Sequence, residues 1–355
     1  MSVLRFSAAL LAGASFALSG CIAAAVPVAA AGGLYKARQD SANKRDRRAK
    51  RDRQAEAQKP GQVILTPDGQ RVTVTTLNQL PAPDGSVPVR AASATVPPEM
   101  QYLYGSGEAA ALSFQAYQAL WNYLRMEIGY LRDKSQAKSV ALLPGSTLDN
   151  PRFATCGKRP MAVVLDIDET VLQNLGYEAD TAERGGGYDA ARWSRWEQTG
   201  VDQMLAVPGA AEALAAARRE GFTIVFNSNR STATAPQTVA ALEKTGLGPA
   251  VLGDTLWLRG EGEPSGKDAR RARIAERYCI VAMAGDQLGD FSDLFNAPDL
   301  GVQARRSSAG ASLVAPLWGA GWFMLPNPVY GTGLKGGMDE VFPPAVRWTD
   351  PQEKK

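Results

Sequence analysis

With 355 residues the chain has room for one sizeable core plus a smaller accessory piece or tether. It contains no histidine, which excludes imidazole bases, serine–histidine triads and zinc sites built on His. Hydrolysis is left to carboxylates, Ser/Thr, Lys, Cys or an oxygen-ligated metal. The net charge of +3 is uneven: residues 36–59 hold ten Lys/Arg against four Asp/Glu, so the chain beyond residue 60 is mildly acidic and gives no support to a nucleic-acid polymer as partner.

Residues 1–21 carry one cation, Arg5, then an apolar run from Phe6 to Leu18, and end Leu18-Ser19-Gly20-Cys21. That is a signal-peptide layout, too short for a comfortable membrane span. Its end resembles the lipobox of bacterial lipoproteins, with Cys21 as the thiol that takes the lipid. The resemblance implies an envelope protein anchored to the membrane through Cys21, and Ile22 after the cysteine points to the outer membrane of a Gram-negative cell. Residues 22–60 read as a small-residue and basic tether, either lying on anionic headgroups or forming a solvated spacer. Residues 61–98 read as a β-hairpin turning at Asp68-Gly69, followed by a Pro-rich linker.

From Ser106 the apolar positions Leu112, Ala116, Tyr117, Leu120, Trp121, Leu124, Ile128 and Leu131 recur at three and four, which predicts a long helix. Beyond residue 160 short buried strands alternate with helices. Strands are expected at 161–165, 222–226, 250–258 and 279–283, and helices at 210–219, 236–245 and 268–277. The alternation predicts an α/β fold with a doubly wound, Rossmann-like parallel sheet, whose ligands sit at the carboxyl ends of the strands.

Four polar clusters collect there. Asp166 and Asp168, two apart just past a strand, leave the sheet on one side. One can attack phosphorus and bind a cation; the other can protonate a leaving oxygen and then activate water. Asn227-Ser228-Asn229-Arg230 offers donors to phosphoryl oxygens, Lys267 precedes a helix as a neutralising cation, and Asp286 and Asp290 suit Mg2+. Each cluster alone is weak, since an Asp pair can simply cap a turn; the four in order are hard to obtain by chance.

The set resembles the haloacid dehalogenase (HAD) superfamily. Val164 to Asn174 with Tyr177, Ile224 to Arg230, Arg192 to Trp196, Val207 to Ala210, Gly285 to Phe291 and Leu325 to Gly331 narrow the resemblance to the class C, lipoprotein-type acid phosphatases of subfamily IIIB. It covers roughly 100–335, within a phosphatase domain expected over 99–340 and followed by a tail, 341–355. Asn227 departs from the family's apolar residue. The resemblance implies a HAD-like fold with a small, mostly helical cap inserted at about 173–205. It also implies hydrolysis of small phosphate monoesters through an aspartyl-phosphate.

Carried onto this sequence, Asp166 is the nucleophile and Asp168 the general acid and base, while Ser228 and Lys267 hold the phosphoryl group. The resemblance implies Asp166, Asp168 (through its carbonyl), Asp286 and Asp290 as the Mg2+ site. Asn229, Arg230, Tyr177, Trp193 and Trp196 are the implied substrate contacts. Stacking of a nucleoside monophosphate on these aromatics, a 5′-nucleotidase activity, stands beside the plainer reading that Trp193 and Trp196 pack the cap. In the implied fold Cys156 and Cys279 lie at the ends of neighbouring strands opposite the site, where an oxidising periplasm permits a disulfide. Phosphotransfer to an alcohol, a non-catalytic nucleotide-binding or scaffold lipoprotein, and a homodimer remain open.

Overall fold

The structure, a computed structural model, describes residues 62–65, 71–74, 95–132, 137–311 and 313–351. The expected lipobox at Cys21, the basic tether and the Pro-rich linker up to residue 94 lie outside the described residues, as does the turn at Asp68-Gly69. The chain divides into two units, 1–90 and 91–355. The first holds β1 (Gln62–Leu65) and β2 (Arg71–Val74), antiparallel with Gln62 opposite Val74 and Leu65 opposite Arg71.

After a helical entry segment over 98–105, the second unit continues into α1 (Gly107–Arg132), whose buried stripe runs through Ala109, Ser113, Tyr117, Leu120 and Leu124. Leu112, expected on that stripe, is 42% exposed, because the small residues Ala109 and Ser113 occupy the inward positions of the first turns. An antiparallel pair follows, β3 (Lys138–Leu142) and β4 (Phe153–Thr155), which the pattern did not announce.

Besides short single-turn helices, the elements that follow are β5 (Met161–Leu165), β6 (Leu172–Gln173), α2 (Leu175–Arg184), α3 (Ala190–Thr199), β7 (Leu205–Ala206), α4 (Ala210–Arg219), β8 (Thr223–Ser231), α5 (Ala235–Lys244), β9 (Leu256–Arg259), α6 (Asp268–Arg277), β10 (Cys279–Gly285), α7 (Val302–Ala309) and β11 (Trp322–Met324). The sheet order is β11-β10-β5-β8-β9, all parallel. This is the doubly wound architecture the sequence predicts. Only the end of the expected 250–258 strand forms, since Gly253, at φ 80°, turns the chain just before β9.

Every side chain of β5 is buried. Alternation sends Met161, Val163 and Leu165 to one face with Leu120, Leu124 and Leu214, and Ala162 and Val164 to the other with Ile274, Phe291 and Trp322. The chain winds from β5 out to β8 and β9, then returns to β10 and β11 on the opposite flank. The crevice where winding reverses therefore opens at the carboxyl end of β5. The ribbon β6–β7, with Leu172 opposite Ala206, brackets α2 and α3 as a small helical insertion. Cys156 and Cys279 form a disulfide with Cα atoms 4.9 Å apart, at the amino end of β10 and so away from the crevice.

Candidate active site

Asp166 follows β5 directly, and its N–H donates to Ala284 O at 3.0 Å, which ties the loop to β10. Its Oδ1 lies 2.6 Å from Lys267 Nζ, which is also 2.6 Å from Asp290 Oδ1. Lys267 sits just ahead of α6, where the Asp293 carboxylate accepts from the N–H groups of Lys267 and Asp268, each at 2.8 Å. Gly285 is obligatory here: a Cβ would come within 2.3 Å of Asp290 Cβ. Asp286 accepts from Thr170 Oγ1 at 3.0 Å and Asn327 Nδ2 at 2.7 Å.

Carboxylate oxygens of Asp166, Asp286 and Asp290 all lie within 4.8 Å of one another. Burial, with Asp290 beside it, pushes the Asp286 carboxyl up to about 7. Burial, opposed by Lys267 but reinforced by Asp290 and Asp286, pushes Asp166 well above the usual carboxylate range. Burial alone would lower Lys267; Asp166 and Asp290 overcome it and hold the ammonium charged. Three crowded carboxylates facing one ammonium leave negative charge uncompensated, and their donor set is all oxygen. Such a set fits a hard divalent cation.

The Asp168 carboxylate is elsewhere. Its Oδ1 accepts from Arg230 Nε (3.0 Å), the second Arg230 nitrogen (2.7 Å) and Asn174 Nδ2 (2.9 Å). No donor takes Oδ2 among the described residues, so that oxygen is left to handle a proton. Asp168 could serve a metal only through its carbonyl. Arg230, expected as a substrate contact, has a fully enclosed side chain, and its guanidinium is engaged by Asp168 and Asn174. It acts on Asp168 instead of meeting substrate.

Asn174 is the hub of this network: its oxygen accepts from Trp196 Nε1 at 2.8 Å, and its amide donates to Asp168 and Glu169. Trp196 is thereby a wedge, closed in by Gly176 and Gly200, where an added Cβ would meet its ring at 2.7 and 2.2 Å. It does not line the cavity, so the expected substrate contact through Trp196 is withdrawn. Tyr177 and Trp193 do line it, edge to face with centroids 5.0 Å apart, and Tyr188 stands 6.4 Å from Trp193. The cavity measures about 830 Å3 and runs from Asp166 and Lys267 to this aromatic wall.

Ser228 is fully buried, and its Oγ accepts from the Arg230 N–H at 3.2 Å, which leaves its own proton to donate. Asn229 faces the cavity with its oxygen held by Arg270 at 2.6 Å, which turns its NH2 outward. Asn227 explains its own departure from the apolar norm: its oxygen accepts from Arg270 Nε at 2.9 Å. An apolar residue there would leave that donor unpaired.

The sequence reading assigned nothing to Glu169, Tyr104 or Asn327. Glu169 is buried at φ 51°, a conformation costly for a residue with a Cβ. Its carboxylate accepts from Tyr104, Tyr330 and both nitrogens of Asn174. Burial and then Asp168 push it up to about 7. It clamps the first loop to the helical entry segment and to the loop after β11. The only advance signals were its place in the Asp-x-Asp-Glu-Thr run and the Pro-Asn-Pro segment holding Asn327.

Comparison with known families and structures gives a single answer. The model of HAD superfamily, subfamily IIIB (acid phosphatase), matches residues 110–333. The crystal structure of the class C acid phosphatase from Bacillus anthracis with tungstate bound is similar at 26% identity and a TM-score of 0.51, over 66% of this chain and 84% of that one. A second structure of the class C acid phosphatase from Bacillus anthracis is similar at 25% identity, with the same score and coverage.

Proposed function

The chain belongs to the acid phosphatases of HAD subfamily IIIB and is a phosphoric monoester hydrolase, and from that premise we propose that Asp166 carries the phosphoryl group, with Mg2+ as cofactor and small phosphate monoesters, nucleoside monophosphates included, as substrates. The observation that carries this reading is the position of Asp166, 2.6 Å from Lys267 and within the crowded carboxylate trio.

In the first displacement an Asp166 oxygen bonds to phosphorus as the ester P–O bond breaks, and the leaving oxygen takes a proton from Asp168 Oδ2. In the second, water attacks phosphorus, its proton passes to Asp168 Oδ2, and the P–O bond to Asp166 breaks. Arg230 and Asn174 grip Oδ1 through both steps, so Asp168 keeps one geometry in both roles. Ser228, the outward NH2 of Asn229 and Lys267 hold the phosphoryl oxygens. Asp166, Asp286, Asp290 and the Asp168 carbonyl would hold Mg2+, which supplies charge neutralisation between nucleophile and phosphoryl oxygens. Tyr177, Trp193 and Tyr188 offer a nucleobase its stacking surface.

The location we assign is the cell envelope, with Cys21 as lipid anchor. The Leu18-Ser19-Gly20-Cys21 run supports it, and so does a disulfide, which persists in oxidising compartments. Loss of fatty-acid labelling in Cys21→Ser is the expected result; labelling that survives would refute the anchor. The activity is tested by phosphate release from nucleoside monophosphates, sugar phosphates and an aryl phosphate, with and without EDTA, beside Asp166→Asn. Turnover retained by that variant would sink the mechanism, and a released phosphate replaced by an alkyl phosphate in added alcohol would favour the transferase reading.

A further inference from the structure

The cavity is unevenly charged. Two cations line it: Lys267, engaged by Asp166 and Asp290, and Arg259, the last residue of β9. The Arg259 guanidinium makes no hydrogen bond or ion pair among the described residues. Ser231 is its partner across the sheet, and Ser231 and Ser265 both lie on the wall of the same cavity. A second guanidinium lies close by. Arg270 is 3% exposed and held by the neutral oxygens of Asn227 and Asn229, with its nearest carboxylate, Glu263, 3.8 Å away. Glu263 is shared with Arg273 at 3.9 Å and with the Gly260 N–H. The other carboxylate on this side, Glu197, is taken up by the Ser231 N–H, Thr234 and Trp193, so among the described residues neither Arg259 nor Arg270 has a carboxylate of its own within hydrogen-bond distance. Buried or cavity-facing cations without a matching acid are the usual preparation for an anion.

We propose that Arg259 forms a subsite for a second anionic group on the substrate, a phosphate or carboxylate about one sugar ring away from the phosphorus that Asp166 attacks. This rests on the phosphomonoesterase reading above and adds a specificity to it. Sheet geometry sets the distance. Leu165, Phe226 and Leu256 lie side by side on β5, β8 and β9. Arg259 is thus two strands across, about 10 Å, and two residues further along than Asp166, about 7 Å. The backbones are then about 12 Å apart. The long arginine side chain and the Asp166–phosphorus bond fill part of that span, and the remainder matches a pentose or a short carbon chain. Ser231, opposite Arg259 in the sheet, places a hydroxyl donor on the same stretch of wall.

The test compares kcat and KM, in full-length protein with Mg2+, for four probes: 4-nitrophenyl phosphate, adenosine 5′-monophosphate, adenosine 3′,5′-bisphosphate and 3-phosphoglycerate. Wild type is expected to show a KM for the bisphosphate or for 3-phosphoglycerate about tenfold below that for the single-phosphate probes. Whichever of the two is favoured identifies phosphate or carboxylate as the second anion. Arg259→Gln should erase that advantage through KM with kcat kept, leave 4-nitrophenyl phosphate unchanged, and be partly rescued by Arg259→Lys. No advantage for either doubly anionic probe in wild type overturns the subsite. An equal loss for all four probes in Arg259→Gln overturns it as well. Absence of phosphate release from 4-nitrophenyl phosphate by wild type would instead refute the underlying phosphatase mechanism.

Discussion

Replacing Arg230 by methionine separates a positioning residue from a phosphate ligand. The substitution removes two hydrogen bonds to Asp168 Oδ1 and one to Asn174 from a side chain with no exposure, and leaves Asp168, at 15%, with Asn174 alone. Breaking a buried pair by removing one partner costs 3–5 kcal/mol, and the partial access of Asp168 to water places this case near the lower end, about 3 kcal/mol. For a domain of this size that is a fall in Tm of about 6–12 °C. A carboxylate displaced by about 1 Å loses roughly a hundredfold in proton transfer. The loss depends on the leaving group, because 4-nitrophenolate departs without a proton whereas a ribose oxygen needs one. In kcat/KM, which reads the chain of events up to the phosphoryl-enzyme, a nucleoside monophosphate should lose about a hundredfold and 4-nitrophenyl phosphate less than about tenfold. Equal losses, carried by KM, would mean that Arg230 binds phosphate and that the network around Asp168 Oδ1 has been misread.

Other consequences are open to measurement. The Cys156–Cys279 bond closes a separation of 123 residues, so the double Cys→Ser variant should lose about 3–4 kcal/mol in urea unfolding yet keep its turnover, the bond lying away from the site; an unchanged midpoint would contradict this. Burial raises Glu178, on the cavity wall, to about 7, so the folded state keeps a proton that the unfolded chain releases at lower pH. This group therefore makes wild type lose stability as pH rises from about 4.5 to about 7, and Glu178→Gln lacks that share of the loss while Glu169 and Asp286 keep theirs. The variant should match wild type at pH 4 and exceed it by about 1 kcal/mol at pH 8, a figure reduced for solvent at the cavity wall; a constant difference across pH would refute it. EDTA should cut turnover by at least about a hundredfold with full recovery on Mg2+, and Asp286→Ala should not recover; activity indifferent to EDTA would exclude the carboxylate trio as a metal site.

The parallel sheet was legible because β5 and β10 are continuous apolar runs bounded by acidic turns, a pattern with few structural solutions. Asp166, Lys267, Asp286 and Asp290 were legible for a related reason: each stands at a strand end or helix start, and topology alone brings those points together. Arg230 and Trp196 were not. A guanidinium or an indole in a motif looks the same whether it faces a ligand or a neighbouring side chain, and only the packing around Asn174 turns both inward. Glu169 was hidden because its partners, Tyr104 and Tyr330, lie 65 and 161 residues away. β11 and the β3–β4 pair were missed because three to five residues leave too little periodicity to read. Arg259, at the end of a short edge strand, carried no motif at all.

The central claim is that phosphate passes through Asp166. Acid-quenching wild type and Asp168→Asn during turnover, followed by peptide mass spectrometry, tests it most directly. One phosphoryl group on the peptide holding Asp166 is expected in both, accumulating in Asp168→Asn because the base for the second step is lost. Phosphate released by the wild type with no phosphoryl group on that peptide, or with one on any other residue, would contradict the account.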